Sequence, residues 1–575
     1  MKLFSIILIF AEILISNAEN PEGYVEDYFL RTKLGPVNGF VAQLSPDFKA
    51  DIFLGIPFAK APVEVLRFEK PQPVGPWTTP LQAKTMPKGC YPHDLSGLPE
   101  TLFSDDCLYL NIFRPHNQSS KPESGYPVLV WVHGGGYEVG ATFFYGYKDI
   151  SLNFATQDII VVTIQYRLGF TGFSSTGDSV MPGNLGYWDQ TAAFKFLKEN
   201  IKEFGGDENN IVAFGLSAGG ASTAALSIAP ASRGLISKSI EMSGAVFANW
   251  HAGEQVVQVT AKLSEALGCP PISESSKLKK CFKSKTPKEF LEAVKVIGNA
   301  RYGVNLVKFH PRIDGDFFPA DFPELIKTAP KKPTMMGFTD QEAAYFTIMG
   351  QSKTLNAFGI PRESFSQYTL KNFTDAVEQI VAPKKIFGSK APELQKKIID
   401  FYLKDFEKNY EGFLGAYSNL FSDLWFTIPG LWTAKAKTES GWPVYLYFND
   451  YYNKKMFGKE IPVKGSMHAN EYPYMFGIFP VAPFEFDDDD RKAQKVIVDT
   501  IVQFSKKSNP STESFTWPLT TPENPFINAV IRPEPFVQDS LLKENLEFWN
   551  QLTEEYDFNI VRGIHKESRK TKDEL

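Results

Sequence analysis

Four cysteines and seven histidines are few for a chain of 575 residues. Neither type clusters: there is no Cys-x-x-Cys and no pair of histidines at ligand spacing. The sequence therefore suggests no metal site and calls for no cofactor. Long apolar runs are equally scarce. Beyond Ile15 no stretch approaches the length of uninterrupted apolar residues that a transmembrane helix needs. Positive charge is not in excess either, and a net charge of -6 gives no electrostatic footprint for nucleic acid. The 40 prolines and 42 glycines are scattered rather than bunched, so no linker divides the chain between about residues 25 and 550, and no internal repeat is visible. What remains is an ordinary globular composition, 43% hydrophobic and 22% charged, with ample material for a large core. The longest like-charge run, Asp487 to Asp490, reads as a solvated loop or as the acidic first turn of a helix.

The two ends carry addresses. Met1-Lys2 followed by the apolar Leu3 to Ile15 and then Ser16-Asn17-Ala18 reads as a secretory signal peptide over residues 1–18, with a small-x-small cleavage pattern. The expected mature domain spans 19–560, and 561–575 is a polar tail. Its last residues, Lys572-Asp573-Glu574-Leu575, form a ligand for the endoplasmic reticulum retrieval receptor. An oxidising lumen suits the cysteines. Of the three possible pairings the sequential one closes the shortest loops, Cys90 with Cys107 and Cys269 with Cys281. Asn117-Gln118-Ser119 and Asn372-Phe373-Thr374 are glycosylation acceptors in such a compartment.

The chemistry lies in the middle of the chain. Gly215-Leu216-Ser217-Ala218-Gly219 follows the apolar run Ile211 to Phe214 and precedes a helix-compatible stretch, which makes it a nucleophile elbow. The turn needs a glycine on each side of the serine because a Cβ at 215 or 219 would collide with neighbouring elements. Upstream, Pro127 to Val132 reads as a strand and leads into His133-Gly134-Gly135-Gly136, the type of loop that supplies oxyanion-hole amides. Together these motifs point to acyl transfer.

Apolar runs at Pro127 to Val132, Ile159 to Ile164, Ile211 to Phe214, Ser239 to Met242, Thr334 to Phe338 and Val444 to Phe448 predict a mostly parallel sheet buried on both faces. Amphipathic segments from Asp189 to Phe204, Val257 to Leu267, Pro392 to Phe406 and Arg491 to Phe504 predict helices between them. Two inserts, about 245 to 330 and 345 to 440, are expected to wall the cleft of one elaborated α/β domain.

A serine hydroxyl needs a base, and the base needs an acid to hold its tautomer. Of the four histidines beyond Ser217, His251 and His310 follow it too closely to leave room for the acid, and His565 falls in the tail. His468, in a loop after a predicted strand, is the base. Asp340 and Glu342 share the loop after Thr334 to Phe338, and spacing does not choose between them.

Several further motifs carry a resemblance. Gly55-Ile56-Pro57-Phe58-Ala59, Leu66-Arg67-Phe68, Ser104 to Asn111, Gly183-Asn184-Leu185-Gly186 through Asp189-Gln190, and Phe204-Gly205-Gly206-Asp207 are similar to those of the type-B carboxylesterase and cholinesterase family, over nearly the whole mature chain. The tail and the His468-Ala469-Asn470-Glu471 context most resemble the nematode gut esterases. The resemblance implies an α/β-hydrolase fold, with Ser217 as nucleophile, Glu342 as acid, His468 as base and the amides of Gly135, Gly136 and Ala218 as oxyanion hole. It supports the two disulfides, and it suggests that Ser243 assists the acid. The chain departs from the family in three ways. Leu216 replaces the glutamate usual in the elbow, no tryptophan lies between Cys90 and Cys107, and Ala343 and Ala469 stand where glycines are usual. The first two changes speak against a quaternary-ammonium substrate. The expected function is hydrolysis of neutral carboxylic esters in the endoplasmic reticulum lumen. A lipase or amidase is the nearest alternative, and an adhesion member of the fold is a more distant one.

Overall fold

The computed structural model describes residues 21–299, 303–350 and 357–565. The signal segment 1–18 and Lys572-Asp573-Glu574-Leu575 lie outside them. Among the described residues a thirteen-stranded sheet runs through the domain, twelve strands on one continuous path and a short one, Leu81–Gln82, paired to the second of them. It opens with an antiparallel meander, β1 (Tyr24–Thr32), β2 (Gly35–Ser45) and β3 (Phe48–Pro57), paired from Thr32 opposite Gly35 onward. These strands escape a reading based on apolar runs. Gly35, Pro36 and Gly39 interrupt β2, and β1 is an exposed edge.

The sheet continues through β4 (Tyr109–Pro115), β5 (Tyr126–Val132), β6 (Ile160–Ile164), β7 (Gly206–Leu216), β8 (Lys238–Met242), β9 (Thr334–Thr339), β10 (Val444–Asn449), β11 (Asn528–Ile531) and β12 (Phe536–Gln538). Their spatial order is β4-β6-β5-β7-β8-β9-β10-β11-β12, and pairing is parallel from β6 to β11. Every residue of β5, β6 and β9 is buried. Helices cover both faces of such strands, so they read as unbroken apolar runs rather than as alternation.

The order of strands positions the site. After β5 the chain moves to β6 on one side, and after β7 it moves to β8 on the other. The carboxyl ends of the adjacent strands β5 and β7 therefore border a crevice from which the chain departs in opposite directions, the usual place for a ligand in an open α/β sheet. His133-Gly134-Gly135-Gly136 follows β5 and Ser217 follows β7.

The helices sit near their predicted places. The segment expected from Asp189 begins earlier, as α1 (Leu185–Asn200), and ends in a 3-10 turn over Ile201–Phe204. Asp189 is an interior residue of it whose carboxylate takes both Arg167 Nε and Nη2 at 2.7 Å. The elbow serine leads into α2 (Ala218–Ile228), and the first insert contains α3 (Pro287–Ile297). Asp487 caps α4 (Asp488–Lys507), so the acidic run is a first turn. It is not wholly solvated: Asp490 is fully buried and accepts from Tyr451, Asn453 and Tyr474. The folded region also extends past 560, since Val561 is buried and Ile564–His565 pairs with Phe558–Asn559. Disulfides join Cys90 to Cys107 and Cys269 to Cys281. Among the described residues no helix is long and apolar enough to cross a membrane.

Candidate active site

Backbone sterics place the serine. Ser217 has φ 62° and ψ -127° between β7 and α2, a strained conformation for a residue with a Cβ. Its neighbours must be glycines. A Cβ on Gly215 would come within 2.5 Å of the Gly219 backbone, and one on Gly219 within 2.0 Å of Val132 O. The Ser217 amide donates to Met242 O at 2.8 Å, which ties the elbow to β8. The axis of α2 points its amino end at this position, where partial positive charge favours an anion.

The loop after β5 approaches the elbow so closely that a Cβ on Gly134 would lie 3.1 Å from Ser217 Cβ. Gly135, Gly136 and Gly140 all have positive φ, at 111°, 62° and 125°. His133 stacks on Tyr166 with ring centroids 4.5 Å apart, and its Nδ1 lies 2.9 Å from Gly134 O. Burial lowers the His133 pKa to about 4, which keeps the ring neutral.

Glu342 is fully buried in the loop after β9. One carboxylate oxygen accepts from Ser243 Oγ at 2.6 Å and from the Thr339 amide at 2.8 Å, and the other lies 2.5 Å from His468 Nδ1. Asp340, left level with it by spacing, has another partner: its Oδ1 accepts from the Ser466 amide at 2.6 Å. Burial, with Asp450 and Glu342 nearby, raises the Asp340 pKa to about 8. Burial and the Glu342 charge do the same to Glu471, also to about 8. The His468 ring lies among Phe426, Phe346 and Tyr345, the nearest centroid being that of Phe426 at 4.6 Å.

Ser217, Gly135 and His468 line one cavity of about 390 Å³. Gly136 and Ala218 adjoin its walls through Gly135 and Ser217. The remaining wall is largely apolar and aromatic: Leu95, Phe103, Phe144, Tyr145, Leu216 and Tyr472 contribute. Of the run Phe143-Phe144-Tyr145, the last two face the cavity while Phe143 is buried against Phe103. The expectation that both inserts wall the cleft is half right. The second insert supplies Tyr345 and Phe346, whereas among the described residues none of the lining comes from 245 to 330. The loop closed by the Cys90–Cys107 disulfide supplies Asp94, Leu95, Leu98 and Phe103 instead. Arg67 pairs with Asp105 of this loop at 3.4 Å. The two alanines differ. Ala343 has an ordinary φ of -75°, but Ala469 is left-handed at 65°.

Sequence comparison gives the family. The model of the Carboxylesterase family matches residues 26–549. The chain belongs to the carboxylesterase family. Its esterase relatives include gut esterase 1 of Caenorhabditis briggsae, 36% identical over 95% of this chain and 97% of that protein. Acylcarnitine hydrolase of Mus musculus is 30% identical over 90% of both chains, and bile salt-activated lipase of Bos taurus is 30% identical over 90% of this chain and 88% of that one. This carboxylesterase is a carboxylic ester hydrolase, and its large, mostly parallel sheet is that of an α/β-hydrolase. The sequence reading did not find two carboxylates of interest. Glu471 closes the His468 motif and Glu138 stands two positions after the glycine run, and no spacing rule singles out either.

Proposed function

We propose that this carboxylesterase hydrolyses neutral carboxylic esters through an acyl-enzyme on Ser217. The observation that carries the reading is the 2.5 Å contact between Glu342 and His468 Nδ1, which leaves the other ring nitrogen, buried and without a hydrogen-bond partner among the described residues, on a residue that lines the same cavity as Ser217. His468 Nε2 accepts the Ser217 proton as Oγ attacks the ester carbonyl. Glu342 keeps Nδ1 protonated and stabilises the imidazolium that forms. The amides of Gly135, Gly136 and Ala218 receive the oxyanion. His468 returns the proton to the departing alcohol, and water repeats the sequence on the acyl-enzyme. The apolar wall suits neutral acyl and alcohol groups. A phosphonylating inhibitor labels one residue per chain, and peptide mapping finds Ser217; stoichiometric label anywhere else overturns the assignment.

The chain acts in the endoplasmic reticulum lumen in the same proposal. Residues 1–18 deliver it there, and a retrieval receptor binds Lys572, Asp573, Glu574 and Leu575. Two disulfides suit that oxidising compartment. Asn117 and Asn372 are exposed glycan acceptors, though Asn372 Oδ1 is engaged by the Thr369 amide and hydroxyl in a helix cap. Deleting the last four residues moves activity from cells to medium at unchanged specific activity; full retention of a folded, active truncation excludes the tail as the signal.

A further inference from the structure

The loop that carries the oxyanion amides is held in an unfavourable shape. Gly135, Gly136 and Gly140 are left-handed, and so is Tyr137 at φ 62°, where a bulky side chain costs energy. Such a loop keeps its form only if its surroundings hold it. The face toward the cleft is open, since Gly134, Gly135, Val139 and Gly140 line the cavity. The restraint comes from behind.

Glu138 lies on that far side, fully buried. Its Oε1 accepts from the backbone amides of Lys308 at 2.5 Å and Phe309 at 3.0 Å, and lies 3.3 Å from His93 Nδ1. Its own main chain joins the same network: Glu138 O accepts from His93 N at 3.0 Å, while Glu138 N and Val139 N both donate to Gly135 O, at 3.1 and 3.0 Å. One residue thus connects the oxyanion loop to the 308–309 segment of the first insert and to the strap beside Cys90. Tyr137 adds a second tether, its hydroxyl lying 2.8 Å from His251 Nδ1 and 3.1 Å from Tyr187 Oη. A carboxylate is a costly group to bury, and bonds from amides to a charged acceptor are stronger than those between neutral groups.

We propose that Glu138 is a positioning residue for ester hydrolysis: its carboxylate, by binding the Lys308 and Phe309 amides, sets the backbone of Gly135 and Gly136 to receive the oxyanion. The proposal rests on the acyl-enzyme reading above. Glu138 never meets substrate, so its effect belongs to the transition state rather than to substrate binding. It also gives the first insert a role that the cavity lining alone does not, since that insert backs the oxyanion loop instead of walling the cleft.

The test compares Glu138→Gln, which keeps an acceptor oxygen, with Glu138→Leu, which keeps bulk and loses it. Activity is expressed per active site titrated with a phosphonylating inhibitor, so that misfolded molecules are not counted. For Glu138→Leu, kcat per titrated site falls about 10²- to 10³-fold, as when one oxyanion donor is lost. KM stays within about threefold, the signature of an interaction made only in the transition state. Affinity for a trifluoromethyl ketone, which captures Ser217 as a stable oxyanion adduct, falls in step with kcat/KM. Glu138→Gln loses about three- to tenfold in both measures. If Glu138→Leu yields no folded protein, the glutamine variant decides alone. Unchanged kcat per titrated site, or a loss confined to KM or to the titratable fraction, overturns the proposal. Failure of the wild-type enzyme to titrate at Ser217 overturns the acyl-enzyme reading instead.

Discussion

The Ser466 amide donates to Asp340 Oδ1 at 2.6 Å, joining the loop that carries Glu342 to the loop that carries His468 two residues from the pair they present. The Gln341 amide reinforces the join by donating to Ser466 O at 2.9 Å. The distance between Glu342 and His468 is therefore set by a short ladder beside them as well as by their own contact. A Cβ on Gly465 would meet Gln341 Cγ at 2.3 Å and Asp340 Oδ2 at 2.9 Å, so a side chain there would push both of these aside.

Asp340 makes stability depend on pH. Its folded pKa is raised to about 8, chiefly by burial, so the folded state holds a proton that the unfolded state releases at lower pH. Stability from this proton is complete in acid and is lost as pH rises toward 8. Glu471, also raised to about 8 by burial, acts in the same direction. His133 and His251 oppose them: burial lowers their pKa values to about 4 and about 3, and their contribution is lost as pH falls below the unfolded histidine value. Asp340→Asn keeps an acceptor for Ser466 and removes one titration. Its melting temperature relative to wild type should climb between pH 5 and 9, pH values chosen to bracket the shift. A constant difference across that range would show that Asp340 does not titrate there.

Ser243 holds Glu342. Its Oγ donates to Glu342 Oε1 at 2.6 Å from a left-handed position with φ 46°. Hydrogen bonds to charged groups contribute about 1.5 to 3 kcal/mol. Ser243→Ala is expected to lower kcat roughly ten- to hundredfold with KM little changed, as Glu342 loses one of its restraints. An unaltered kcat in steady-state assays would reduce Ser243 to a strand-end residue.

The two alanines that replace usual glycines should respond with opposite sign. At Ala469 the left-handed backbone costs roughly 1 to 2 kcal/mol for a residue with a Cβ, which outweighs the smaller entropic cost of glycine. Ala469→Gly should stabilise by about 0.5 to 1 kcal/mol. Ala343 has an ordinary φ of -75°, so Ala343→Gly should destabilise by a similar amount. Thermal midpoints recorded at one scan rate distinguish the two, and shifts of the same sign would contradict the argument.

Charge in the cavity bears on substrate. Leu216 beside Ser217 is apolar, and Asp94 is the one acidic residue among the described lining, its Oδ1 already accepting from the Ser96 amide at 2.6 Å. A cationic headgroup entering this space loses hydration and finds ring faces but, apart from the engaged Asp94, no anionic side chain to meet it. An uncharged isostere should exceed the matching choline ester by about tenfold in kcat/KM. The preference should survive Asp94→Asn; equal efficiency on the two esters would refute it.

The sequence alone determined what local sterics and burial impose. Gly215 and Gly219 mark the elbow because the turn admits no Cβ there. The strands at the centre are legible because burial on both faces leaves unbroken apolar runs. The antiparallel β1 to β3 were missed, since an exposed edge and a glycine-broken strand carry no such run. Only the tertiary structure decided which carboxylate meets His468: Asp340 and Glu342 are two residues apart in one loop, and the choice depends on a contact made 126 residues away. The same holds for Glu138, whose amide partners lie 170 and 171 residues along the chain. Composition and spacing describe what a segment can become next to its neighbours in sequence; which buried charge faces which donor is fixed when the packed core brings distant segments together.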